Sequence, residues 1–112
     1  MDTAEVDALK AQGVMDIPRG EFWKPPHTIW VVKETACAAH IYGKPICQAE
    51  AFTYMYAGDW TSTPWNMKDI GDDAFCHGLT RYVLCFWVHQ PTMADIPGYQ
   101  WVNVGTHFDP YI

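Results

Sequence analysis

The run Arg81-Tyr82-Val83-Leu84-Cys85-Phe86-Trp87-Val88 limits what this chain can fold into more than any other stretch. It is β-branched and aromatic almost throughout, which suits a pleated, packed surface. Its apolarity is continuous rather than alternating, the pattern of a strand buried on both faces in a parallel sheet. His89-Gln90-Pro91 ends it. Parallel strands need long crossovers, usually helical, and the chain supplies the helical patterns. Residues 28 to 42 carry Ile29, Val32, Ala36 and Ala39 at helical spacing, and Gly43 followed by Pro45 stops that helix. Residues 64 to 77 predict another, with Thr63 as cap and Pro64 in its first turn. Met67, Ile70 and Ala74 would form its buried side, and Asp69, Asp72 and Asp73 its polar side. A short first helix is expected over residues 3 to 11, capped by Thr3, with Val6 and Leu9 as its apolar edge and Gly13 as its stop.

Two further strands complete the alternation. Val14-Met15-Asp16-Ile17 is expected as a short one ended by Pro18, followed by a polar and aromatic turn, Arg19-Gly20-Glu21-Phe22-Trp23. Residues 45 to 52 are expected as the central strand, followed by a long loop over residues 53 to 64, a length that is often functional. Residues 92–112 read as an irregular C-terminal segment. Helices alternating with short apolar strands give an α/β class, about three βα units with a parallel sheet. The three strands would end at Arg19 and Glu21, at Glu50, and at His89 and Gln90. If the strands are parallel neighbours, these groups share one rim, where ligands of such sheets bind.

Bulk properties narrow the classes. Hydrophobic residues make up 49% and charged residues 18% of 112 positions, so the chain is not of the disordered type and suits one modest domain. A net charge of −6 lacks the basic stripe of a nucleic-acid binder. No apolar run approaches the ~20 residues of a membrane span, and Met1-Asp2-Thr3-Ala4-Glu5 lacks the basic and apolar regions of a secretory signal. Cys37, Cys47, Cys76 and Cys85 form no CxxC pair, so they read as small hydrophobes rather than a zinc site or a disulfide framework. Three strands cannot close an eight-stranded barrel of ~250 residues. The alternatives are a small open three-layer domain or a piece of a larger one, and the bare ending Phe108-Asp109-Pro110-Tyr111-Ile112 favours the piece.

Glu50, between Ala49 and Ala51 and beside Phe52, is a candidate acid, base or ligand, set against a solvated Glu paired with a nearby Lys or Arg. Its apolar neighbours suit a raised pKa and so a proton donor. Glu21, beside Arg19, would stay ionised and orient a hydroxyl, a water or a cation. His89 would donate to a ligand hydroxyl or bond to backbone. Trp23, Trp60 and Trp65 are expected in loops near the rim, as stacking platforms or as braces. His40 suits packing, and His77 suits a helix C-terminus. The aspartates fit no EF-hand pattern, which leaves any metal ligands unassigned.

Taken in order, several motifs resemble the late part of the catalytic barrel of glycoside hydrolase family 106, the α-L-rhamnosidases. They are Asp16-Ile17-Pro18-Arg19-Gly20-Glu21-Phe22-Trp23, Ala38-Ala39-His40-Ile41-Tyr42-Gly43-Lys44-Pro45 and Ala49-Glu50-Ala51-Phe52-Thr53, then Lys68, Asp72-Asp73-Ala74-Phe75 and Gly78. His89-Gln90-Pro91, Pro97-Gly98 and Gly105-Thr106-His107-Phe108 follow. Cys85 departs from the pattern, standing where a His is expected. The resemblance implies that residues 1–112 are a partial (β/α)₈ TIM-type barrel whose remainder lies elsewhere in a larger protein. It implies inverting hydrolysis of terminal α-L-rhamnosides, calcium near the sugar, and a periplasmic or secreted location. On that reading Glu50 and Glu21 are the catalytic candidates, and His89, Trp23, Trp60 and Arg19 bind substrate. A noncatalytic carbohydrate-binding or structural α/β domain is the alternative.

Overall fold

In a computed structural model, residues 5–24, 29–55, 60–85, 92, 94 and 104–106 are described. The elements are α1 (Ala8–Gly13), β1 (Arg19–Trp23), α2 (Ile29–Ile41), β2 (Gln48–Met55), α3 (Pro64–Cys76), β3 (Arg81–Leu84) and β4 (Val104–Gly105). β1, β2 and β3 lie side by side and parallel with β2 in the middle, and β4 pairs antiparallel with the far end of β2. The α/β class and the three parallel strands agree with the sequence reading. β4 lies inside the segment expected to be irregular.

Register decides which residues face the helices. Gly20 pairs with Ala49 and Phe22 with Ala51, while Ala49 pairs with Tyr82. Side chains alternate along a strand, so these residues share one face. Phe22, Ala49 and Ala51 join Val32, Ala36 and Ala39 of α2 and Met67 and Ala74 of α3 in a single core. A Cβ on Gly20 would lie 2.6 Å from Thr35 Oγ1 of α2, and one on Gly71 of α3 would lie 2.7 Å from the Tyr82 hydroxyl. Both α2 and α3 therefore pack on the same face, giving two layers among the described residues, not three. Phe22, Phe52 and Tyr82 meet edge-on, with centroids 5.0 to 6.1 Å apart. Such pairs contribute about 0.5–1.5 kcal/mol beyond area burial.

Helix ends follow local chemistry. Thr63 caps α3 by accepting from the Asn66 amide, the Asn66 side chain accepts from the Thr63 amide, and Pro64 occupies the first turn. Gly43 takes the left-handed conformation, φ 65°, that closes α2. The first helix differs from expectation: Asp7, not Thr3, caps it, and residues 1–4 lie outside the described set. Val6 and Leu9 are exposed, and Gln12 and Gly13 are buried instead.

Three strand expectations are corrected. Val14 and Met15 are exposed and form a turn, whereas the segment read as a turn, Arg19–Trp23, is β1. Its polar residues face away from the helices while Gly20 and Phe22 face them, which is ordinary strand alternation. β2 starts and ends three residues later than expected, so it absorbs the first part of the supposed long loop. β3 is not buried on both faces over its described length: Leu84 is 38% exposed, because no described strand flanks it on the outer side. Residues 86–91 lie outside the described set.

The outer edge of β1 is covered by a side chain. The Gln12 amide donates to the Arg19 carbonyl (2.8 Å) and accepts from the Arg19 amide (2.9 Å), imitating a neighbouring strand for one residue. Gly20→Ala should destabilise the chain by about 1–3 kcal/mol, because the new methyl meets Thr35 and the Val31 carbonyl of α2. Denaturant unfolding measures this, and an unchanged midpoint would contradict the close packing described here.

Candidate functional site on the polar sheet face

The face turned away from the helices is polar. Arg19 stands opposite Gln48, and Glu21 opposite Glu50. Arg81 lies on the other side of Gln48 and donates twice to its Oε1, at 3.0 and 2.6 Å. Glu21, Glu50, Arg19 and Gln48, with Gln12 and Glu34, line a cleft of about 440 Å³ along the β1 edge, within the size range of small-ligand sites. The sequence placed these groups at strand ends. They instead form rows across the middle of the sheet, because β1 and β2 both begin later than expected.

Glu50 is held on several sides. Thr53 Oγ1 donates to its Oε1 at 2.7 Å, and the Arg19 guanidinium lies 3.9 Å from Oε2. Cys85, just past β3, lies against it as well. Burial, then the negative charge of Glu50 and a hydrogen bond to it, push the Cys85 thiol up to about 11, with Arg19 acting in the opposite direction.

Thr53 reaches Glu50 through a bulge. Ala51 pairs with Phe22, and the next pair is Thr53 with Trp23, so Phe52 is the extra residue. Phe52 has φ 61°, the left-handed region that bulky residues rarely enter. Without the bulge, alternation would send Thr53 into the core and Phe52 onto the polar face. With it, Phe52 packs into the core at 4% exposure and Thr53 turns toward Glu50.

Trp23 lies at the end of β1 on the same face as Glu21, opposite Thr53. Its indole Nε1 is buried with no hydrogen-bond partner among the described residues, an arrangement that costs about 1–3 kcal/mol unless an acceptor arrives. Trp60 is half-buried with φ 40°. Its segment is tied to the end of β1 by Lys24, whose ammonium donates to Ser62 Oγ and Asn66 Oδ1, each at 3.3 Å, and lies 5.7 Å from the Tyr54 ring centre. Trp65 is on the first turn of α3, not in a loop, and is 86% exposed. His89 lies outside the described residues, as does His107. His40 is exposed, and His77 caps the end of α3, where its Nδ1 lies 2.9 Å from the Asp73 carbonyl oxygen.

The structure thus brings Glu21, Glu50, Arg19 and Trp23 onto one face. Sequence reasoning missed Thr53 and Lys24. Nothing local marks a left-handed Phe, and the Pro25-Pro26 that follows Lys24 is a loop signal. Among the described residues, no group of three or more His, Cys, Asp or Glu side chains could hold a metal ion.

The family profile for α-L-rhamnosidase, glycoside hydrolase family 106, matches residues 2–111. The chain belongs to this family. The structure of a rhamnosidase from Novosphingobium sp. PP1Y superposes with a TM-score of 0.78 at 28% identity, over 89% of this chain and 10% of that one. A protein of Formosa agariphila described as "Putative beta-glucuronidase" is 34% identical over 105 residues, 92% of this chain and 9% of that protein. This family 106 chain therefore spans about a tenth of the length of these relatives.

The environment of Cys85 makes a chemical prediction. A raised thiol pKa leaves less thiolate at a given pH, so at pH 8.5 exposed Cys76 should alkylate first and Cys85 several-fold more slowly. Glu50→Gln removes the negative charge that raises the thiol pKa, so Cys85 should then react faster at the same pH. Peptide mass spectrometry after timed iodoacetamide labelling reads both effects.

Proposed function

We infer that this chain is one arc of a (β/α)₈ catalytic barrel in a larger α-L-rhamnosidase, and that its polar sheet face lines the sugar site. Family membership supports hydrolysis of a glycoside and a carbohydrate substrate. The two-layer arrangement supports the arc: a parallel sheet with helices on one face and its other face left for the interior is the arrangement of a barrel wall. The observation that carries the reading is the pair Glu21 and Glu50, in register on that polar face beside the unpaired Trp23 N–H.

Inverting hydrolysis uses an acid and a base about 6.5–9.5 Å apart, with a water between base and sugar. In-register neighbours on adjacent strands have backbones about 4.8 Å apart, a spacing suited to two groups acting on one side of a ring. We therefore assign Glu50 as the catalytic carboxyl of this arc and Glu21 as the group that binds and orients hydroxyls or the attacking water. The opposing carboxyl would come from another part of the barrel. The partners of Glu50 are a hydroxyl that donates and a guanidinium, which suits a base that accepts a proton better than the acid suggested by its apolar sequence neighbours. Arg19 would share the sugar-facing surface, and Trp23 would donate its indole N–H to a sugar hydroxyl. Calcium takes six to eight oxygen ligands. Among the described residues no group of three or more His, Cys, Asp or Glu side chains could hold such an ion.

The test is Glu50→Gln in the full-length parent, assayed with an aryl α-L-rhamnoside. Turnover should fall by about 10² or more while the parent remains folded. Near-normal turnover would reject the assignment.

A further inference from the structure

The bulge that aims Thr53 has its own support. Phe52 in the left-handed region is strained, and such strain persists only where the surroundings enforce it. One enforcing partner is Thr106, which directly follows β4 and is fully buried. Its single hydroxyl is shared between the carbonyls on either side of the bulge, Ala51 at 3.1 Å and Phe52 at 3.3 Å. Its amide donates to the carbonyl of Cys85. Thr106 is thus fastened to the backbones of both residues on which two of the Glu50 contacts depend: the bulge that turns Thr53, and Cys85 itself.

We propose that Thr106 is a positioning residue for Glu50. It acts through Thr53 and Cys85, holding the bulge so that the Thr53 hydroxyl meets Glu50 Oε1. Thr106 is fully buried and needs no contact with substrate. The proposal deepens the reading of Glu50 as the catalytic carboxyl and rests on it for its functional meaning. Its geometric content can be tested without that reading.

The charged and titratable groups around Glu50 are Arg19 and Glu21 on β1, Cys85 after β3, and Glu34 of α2 along the same cleft. None is altered by changing Thr106. If Thr106 orients Thr53, removing its hydroxyl weakens the bond that Thr53 donates to the Glu50 carboxylate. The Thr53 side chain should then leave the single rotamer in which its hydroxyl meets Glu50 Oε1.

The experiment is methyl NMR of the full-length parent with ¹³C-labelled threonine methyls, the Thr53 signal being assigned by its loss in Thr53→Val. Thr106→Val should move the Thr53 methyl signal to that of a rotamer-averaged side chain, and Thr106→Ser should restore the wild-type position. A folded Thr106→Val whose Thr53 signal is unchanged would overturn the proposal, because Thr106 would then not act through Thr53. If Thr106→Val does not fold, Thr106→Ala takes its place. Failure of both hydroxyl-free variants to fold would make Thr106 a structural residue only and would also overturn the proposal. Loss of rhamnoside turnover plays no part in this readout, so a failed rhamnosidase reading and a failed positioning proposal give different results.

Discussion

The left-handed turn of the backbone at Phe52 settles more of this structure than any other local choice. It breaks the two-residue alternation of the central strand once. Before it, Gln48 and Glu50 face the polar side, and Ala49 and Ala51 face the helices. After it, the order is reversed, so that Phe52 joins the core and Thr53 joins Glu50. The ring of Phe52 is also the middle member of the aromatic group with Phe22 and Tyr82, which bridges all three parallel strands. A strained backbone at the centre of the sheet is thus offset by packing on one side and hydrogen bonds on the other. Such strain tends to gather at functional sites.

Much of the helical frame was legible in the residues. Thr63 with Pro64 and Gly43 with Pro45 mark helix ends through capping and proline geometry, and these signals depend on a few neighbours only. The alanines of α2 also read correctly as a close-packing surface. β1 did not. Arg19-Gly20-Glu21-Phe22-Trp23 has the composition of a turn, and only knowledge that its polar side chains share a face with Gln48 and Glu50 reveals a strand. That information is tertiary. The continuous apolar run from Arg81 suggested burial on both faces, yet its described part has only one neighbouring strand, because burial depends on what lies alongside as well as on sequence.

The site was partly legible for a similar reason. Glu21, Glu50, Arg19 and Trp23 are recognisable as residue types suited to binding and acid–base work, and all four stand in the family motifs. Their grouping on a sheet face, rather than along a rim, depends on β1 and β2 both beginning later than expected, at Arg19 and Gln48. Thr53 and Thr106 stand in family motifs and Lys24 in none, but nothing local in the sequence marks the role of any of the three. Each acquires its role from a partner distant in sequence: Thr106 from Ala51 and Phe52, and Lys24 from Ser62 and Asn66.

The Gln12 amide has a consequence for assembly. It occupies the outward-pointing hydrogen-bonding groups of Arg19, as a peg fills the first hole of a rail. A strand laid along that side of the sheet cannot engage the rail at its beginning and must enter one rung further on. The register of any strand added at that edge would therefore be set by one glutamine on a short helix.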